Sequence, residues 1–190
     1  MHPEALRGVE WALADSGVKI PLDHHWADSD TVALRCLDVG GADVNGSARR
    51  IVDSATRRVN HWLGLDIAPG PGVDIVADAR KPVIEHQRNY FDFVLCTEVF
   101  EHVNDWDAIV MSIFDWLKPG GVTVVTCAST GRRPHGARGA MDPAPGEHYA
   151  NVPELHLLDA FRVAGFTEYK TRYQAVPGDA YAWARKGSED

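Results

Sequence analysis

Residues 36–47, Cys-Leu-Asp-Val-Gly-Gly-Ala-Asp-Val-Asn-Gly-Ser, set a carboxylate on each side of a glycine pair. Asp38 stands before Gly40 and Gly41, Asp43 after them, and Asn45, Gly46 and Ser47 close the stretch. The two glycines allow a tight turn with no side chain in the way of a ligand. With Asp38 and Asp43 at its sides and no basic residue within it, the turn suits a ligand carrying cationic groups better than a phosphate. Two rival readings fail on spacing. A dinucleotide fingerprint, G-x-G-x-x-G, does not fit glycines at 40, 41 and 46, and a phosphate loop needs a lysine where none lies between Lys19 and Lys81. Further along, Glu98 and His102, then His135, Glu147 and His148, bring acid–base groups. An imidazole that titrates near neutrality can take a proton from an attacking hydroxyl or amine, so His102, His135 and His148 are the candidate bases.

These residues need a scaffold, and the patterning supplies one. The nearly continuous apolar run from Val32 to Val39 suits a strand buried on both faces in a parallel sheet. Residues 47–59 then read as a helix capped by Ser47 or Asn45, with its free N–H groups turned toward the glycines. Its apolar stripe is Ile51, Val52, Ala55 and Val59, with Arg49, Arg50, Asp53, Arg57 and Arg58 on the solvent side. Strand, glycine turn and helix N-terminus at the carboxyl edge of a sheet form a general small-ligand site in doubly wound folds. Further strands are expected at 61–66, 73–77, 90–96 and 122–128. Glu98 and His102, four apart, share a face if one helix includes both. Asn104 would cap a helix over 105–117 whose core stripe is Trp106, Ile109, Val110, Ile113, Phe114 and Leu117, stopped by Lys118-Pro119-Gly120-Gly121. An opening helix spans 3–15, and a late one spans 153–164, with Leu155, Leu158 and Phe161 inward and Gly165 as its stop.

Taken in order, Leu37-Asp38-Val39-Gly40-Gly41, Gly64-Leu65-Asp66-Ile67, Ala77-Asp78-Ala79, the run 97–103 (Thr-Glu-Val-Phe-Glu-His-Val) and Leu117-Lys118-Pro119-Gly120-Gly121 resemble the motifs of class I S-adenosylmethionine-dependent methyltransferases, nearest to the small type 11 kind. The resemblance covers residues 35–173. It implies an α/β, Rossmann-like doubly wound sheet of about seven strands, mostly parallel, with an antiparallel C-terminal strand from a closing pair at 166–173 and 181–185. It also implies S-adenosylmethionine as cofactor, held by Asp38, Gly40, Gly41, Asp43, Asn45 and Gly46. By the same resemblance Asp66 takes the ribose hydroxyls, Ile67 lies against the adenine, Asp78 accepts from the adenine amine and the Ala79 N–H donates to the ring. Thr97 and Glu98 fall near the methionine or acceptor end. One departure is the missing third glycine of Gly-x-Gly-x-Gly, with residues 43–45 inserted before Gly46. The residues 97–100, Thr-Glu-Val-Phe, are not the Asp-Pro-Pro-Tyr or Asn-Pro-Pro-Tyr of amine methylation on DNA bases, and no cysteine neighbours a proline as cytosine-C5 attack requires.

Composition narrows the rest. A chain of 190 residues is expected to make a single domain over 1–190. The balance of 19 Lys and Arg against 27 Asp and Glu, net −8, argues against bulk nucleic-acid binding. Cys36, Cys96 and Cys127 fall inside expected strands and read as buried apolar groups in a reducing compartment. No apolar run approaches the roughly 18 residues of a membrane span, and a cytoplasmic location is expected. Residues 1–30 read as a helix and lid, in which His24, His25 and Asp28 invite a metal but follow one another too closely to converge on one ion. Residues 129–152, long and rich in Gly and Pro, read as the acceptor loop. There Arg132, Arg133 and Arg138 offer an anionic grip, and His135, Glu147 and His148 form an alternative metal set; no metal is assigned. The expected activity is methyl transfer to an oxygen or nitrogen of a small molecule. RNA, a nucleotide or a protein as acceptor, and a non-catalytic cofactor-binding protein, remain the alternatives.

Overall fold

A continuous apolar strand needs cover on both sides, and the computed structural model supplies it. Described are residues 3–17, 33–44, 46–56, 60–81 and 88–188, without the Arg138 side chain. The 18–32 segment with His24, His25 and Asp28, together with Asn45 and residues 57–59, lies outside the described residues. The strands β1 (Arg35–Val39), β2 (His61–Asp66), β3 (Ile75–Val76), β4 (Phe91–Thr97), β5 (Leu117–Ala128), β6 (Glu168–Gln174) and β7 (Asp179–Arg185) form one sheet in the order β3-β2-β1-β4-β5-β7-β6. Neighbours from β3 to β5 run parallel, and β7 runs antiparallel between β5 and β6. This is the expected mostly parallel, Rossmann-like sheet, with β4 in its middle.

Alternate residues of the strands enter different cores. Leu37 and Val39 of β1 join Val94 and Cys96 of β4 on one face, beneath α3 (Trp106–Trp116) and α4 (Glu154–Ala164). Cys36 joins Phe93 and Leu95 on the other, beneath α1 (Pro3–Asp15) and α2 (Arg49–Thr56). The connection after β1 therefore covers one face and that after β4 the other, which leaves a crevice at the carboxyl ends of these two adjacent strands, where doubly wound sheets bind ligands. All three cysteines are buried and free. Burial pushes their thiols well up, Cys96 and Cys127 most of all, so they stay protonated and inert. Among the described residues no helix is long and apolar enough to cross a membrane.

Several local expectations shift. Glu98 and His102 do not share a helix: Glu98 adopts a left-handed conformation (φ 56°), and only a single 3-10 turn, Phe100–His102, follows. Asp105, not Asn104, precedes α3, and its side chain makes no capping bond. In α4 the inward residues are Leu157, Phe161 and Ala164, spaced i, i+4, i+7, while Leu155 is 70% exposed. The third strand shrinks to Ile75–Val76. Ala55 of α2 is exposed, and Trp116, absent from the expected stripe, is a buried member of α3.

Candidate functional site

A cavity of about 890 Å³ runs along the carboxyl ends of β1, β2, β3 and β4 and continues under the 129–152 loop. It is lined by Asp38, Gly40, Gly41, Gly46, Asp66, Ile67, Asp78, Ala79, Thr97, Glu98, His102, His135 and His148 among the sequence-predicted residues. Asp43 is not among the lining residues. Its Oδ1 accepts the Gly46 N–H at 2.9 Å and so shapes the turn instead. Asn45 lies outside the described residues.

The glycine turn is tied to the neighbouring strand, since the N–H groups of Gly40 and Gly41 both donate to the Leu65 carbonyl, at 2.8 and 3.1 Å. Gly40 has φ 76°, and a Cβ there would strike the Val99 side chain, so the position requires glycine twice over. The acidic character of the turn is partly answered. Arg49, expected on the solvent side of its helix, folds inward: its Nε donates to Asp38 Oδ2 at 2.8 Å, and its second terminal nitrogen donates to the Gly72 carbonyl at 2.8 Å and the Gly41 carbonyl at 3.4 Å. Its guanidinium also lies over the Trp62 ring, 5.7 Å from the centroid. Asp38 is 5% exposed, and burial outweighs this pairing, pushing its carboxyl up to about 6 with Asp66 and Asp43 adding to the rise. The sequence hinted that some first-turn arginine needs an anion, without saying which partner it would meet. A cation in the first turn of a helix opposes the macrodipole, so Arg49 there calls for a paired anion nearby.

At the tip of β2, Asp66 is half-buried; its Oδ2 accepts from the Ala42 N–H at 3.3 Å and its Oδ1 from the Ala68 N–H at 3.1 Å. Ile67 beside it is 71% exposed toward the cavity, an apolar surface of the kind a flat heterocycle covers. Asp78 is gripped by Arg80 through Nε at 3.0 Å and a terminal nitrogen at 2.8 Å, which holds its carboxyl below the usual range and keeps it an acceptor. Acceptors at Asp66 and Asp78, an apolar face between them and a carboxylate at Asp38 form a donor–acceptor set that fits a cationic nucleoside such as the cofactor implied by the resemblance. Glu98 turns back toward β5, its N–H donating to the Thr126 carbonyl at 2.8 Å and its Oε1 accepting from Thr126 Oγ1 at 2.9 Å.

At the far end, the rings of His102, His135 and Tyr149 meet edge to face, with centroids 5.0 to 5.6 Å apart. Burial, then the neighbouring His135, lowers the His102 pKa, so this imidazole is neutral near pH 7 and able to accept a proton. Glu147 does not join His135 and His148 in a metal set. Its carboxylate collects the backbone N–H groups of Ala137 and Ala144, which hold it low and make it a staple within the loop. Among the described residues, the grouping that does form is Glu101, His102 and His135. Glu101, passed over as a site residue in the sequence, is fully buried. The anionic grip is also corrected. Arg132 reaches the cavity but donates at 2.7 Å to buried Asp179, and Arg133 lies at the surface beside Asp142.

Comparison with known proteins agrees with this architecture. A sequence profile described as a methyltransferase domain matches residues 24–170. A ubiquinone biosynthesis O-methyltransferase from Shewanella sp. (strain ANA-3) is 35% identical over 52 residues, a match that takes in 27% of this chain and 22% of that relative's length. A Burkholderia thailandensis 1,6-didemethyltoxoflavin-N1-methyltransferase, solved with its substrate and S-adenosylhomocysteine, superposes with a TM-score of 0.64 at 14% identity, over 97% of this chain and 79% of that one. An S-adenosylmethionine-dependent methyltransferase from Archaeoglobus fulgidus gives 0.62 at 12% identity, over 95% and 94%. At such identities the structural likenesses speak to fold, whereas the profile spans most of the chain. Fold, ordered motifs and profile converge, and the chain belongs to the methyltransferase-domain family, with the fold of S-adenosylmethionine-dependent methyltransferases.

Proposed function

We propose that this methyltransferase acts on an oxygen or nitrogen of a small-molecule acceptor held beneath the 129–152 loop. The observation that carries the reading is the single cavity that joins the glycine turn to the His102, His135 and His148 cluster. Its volume of about 890 Å³ lies near the top of the roughly 300–1,000 Å³ spanned by small-ligand sites, room for a cofactor and a modest acceptor together. Asp38 and the Gly40–Gly41 turn receive the methionine end, Asp66 the ribose hydroxyls, and Ile67, Asp78 and the Ala79 N–H the adenine. When bound, S-adenosylmethionine supplies a methyl group already activated by a sulfonium charge, so the chain's remaining tasks are alignment and removal of one proton. Thr97 and Glu98 lie between the two ends of the cavity. Removal of the acceptor's proton falls to one of His102, His135 and His148, the imidazoles that line the cavity.

A small acceptor is favoured over RNA because Arg132, the arginine that lines the cavity with a described side chain at this end, is already paired with Asp179. The O-methylation and N-methylation named for the relatives above are consistent with either acceptor atom. Calorimetry with S-adenosylhomocysteine tests the cofactor half of the reading, and a panel of hydroxyl- and amine-bearing metabolites read by mass spectrometry tests the other. Saturable binding at one site and a methylated small molecule are the expected results. Binding with methyl transfer only to RNA or protein would overturn the acceptor assignment, and absence of binding by folded protein would overturn the cofactor assignment.

A further inference from the structure

Glu101, next in the chain to the cavity-lining His102, is 0% exposed. Its Oε1 accepts the Ala128 N–H at 3.2 Å, while its Oε2 is buried with no hydrogen-bond partner. The Nδ1 of His102 is buried without a partner as well. His135 Nε2 stands 3.9 Å from Glu101 Oε1, and one donor atom from each of these three residues lies within 4.8 Å of the others. Buried polar atoms are as a rule hydrogen-bonded, and two unpaired ones on adjacent residues of one turn are unexplained by packing.

We propose that Glu101, His102 and His135 bind one divalent transition-metal ion at the acceptor end of the cavity. Two imidazoles and one carboxylate are the donor set of zinc, iron, manganese and cobalt sites, and three protein ligands leave positions open toward the cavity. Donor atoms around a tetrahedral ion at ~2.1 Å stand about 3.4 Å apart, so side-chain adjustments of roughly one ångström bring the three into range. His135 comes from the 129–152 loop, whereas Glu101 and His102 belong to the 3-10 turn after β4, so the ion also pins the loop over the site. The ion's Nδ1 contact excludes His102 as a base while the metal is present. His148, which lines the same cavity outside the triad, then becomes the proton acceptor. That last role rests on the acceptor reading above; the binding of the ion does not.

The test uses the full chain freed of metal by a chelator and titrated with Co²⁺ and Zn²⁺, with Mg²⁺ for comparison. Expected are one Co²⁺ per chain with visible d–d absorption, displacement by Zn²⁺ and much weaker binding of Mg²⁺. Glu101→Gln keeps the shape and the Ala128 contact while removing the charge, and His135→Ala alters a half-buried residue of the loop. Each is expected to weaken Co²⁺ binding at least tenfold while melting as a folded protein. Absence of a saturable one-to-one site, or unchanged affinity in both variants, would overturn the proposal. If Glu101→Gln fails to fold, His135→Ala decides alone. S-adenosylhomocysteine calorimetry on the same metal-free sample separates the two readings: cofactor binding without metal binding sinks only the metal site, and the reverse sinks only the cofactor assignment.

Discussion

Replacing Arg49 by methionine keeps an apolar stem against Trp62 and removes the charge that faces Asp38. The two side chains are 18% and 7% exposed, so the pair is largely out of water. Breaking such a pair by deleting one partner costs about 3–5 kcal/mol, because the other charge is left buried and uncompensated. The loss has a defined pH dependence. Asp38 has a folded-state pKa of about 6, above its unfolded value. An acid raised in this way releases its proton from the unfolded chain first, so its contribution to stability declines as pH rises toward 6 and then levels off. Without Arg49 the folded value climbs further, and the decline continues to higher pH. Near pH 5 Asp38 is then largely protonated in both proteins, and the variant forfeits only hydrogen bonds to neutral acceptors, about 0.5–1.5 kcal/mol each. Near pH 8 it forfeits the full buried-charge cost. Urea unfolding of both proteins at about pH 5 and about pH 8 measures the difference, which should grow by roughly 2 kcal/mol or more between the two conditions. Asp38→Asn combined with Arg49→Met should recover most of the loss at the higher pH. A loss that is the same at both pH values, or under about 1 kcal/mol at pH 8, would refute the claim that this carboxylate depends on its arginine rather than on water.

Asp66→Ala removes the acceptor at the tip of β2, and with charge-assisted bonds worth about 1.5–3 kcal/mol each, the affinity for S-adenosylhomocysteine should fall at least tenfold by calorimetry. An unchanged affinity would remove Asp66 from the ribose site. Gly64→Ala places a Cβ against the Gly72 carbonyl and the Arg49 guanidinium, so overpacking should cost about 1–3 kcal/mol in urea unfolding, and a neutral result would mean that the 68–74 loop shifts freely.

The parts of this molecule that were legible in its sequence are those whose signal is local. Residues 61–66 form the strand they were expected to form, because its limits are set by adjacent residues: an apolar run closed by Asp66 and the proline–glycine loop after it. The opening helix runs over Pro3–Asp15 for the same reason, with Gly17 in the left-handed region just past its end. The glycine turn declared itself through residue type alone, since Gly40 occupies backbone space that other residues avoid.

What was illegible is which polar group meets which across elements. Arg49 looked like one of several solvent-facing arginines because helical phase places it there. Only the parallel register, with Asp38 opposite Gly64 and the Gly72 carbonyl folded over them, gives its side chain three acceptors in one direction. Leu155 was expected inward and Leu157 is, because the buried face of α4 is fixed by packing against β6 and α3 rather than by its own pattern. Glu98 and His102, four apart, would share a face of one helix, yet the left-handed Glu98 bends the chain so that its carboxylate meets Thr126 on the neighbouring strand. The same bend drops Glu101 beneath the loop that follows β5, where the Ala150 N–H donates to its carbonyl at 2.8 Å and the Ala128 N–H to its carboxylate. Nothing in the sequence Phe-Glu-His-Val marks its glutamate as buried. It becomes a buried acid only because two segments far apart in the chain close over it, and a charge placed there has to be met by a proton or a cation.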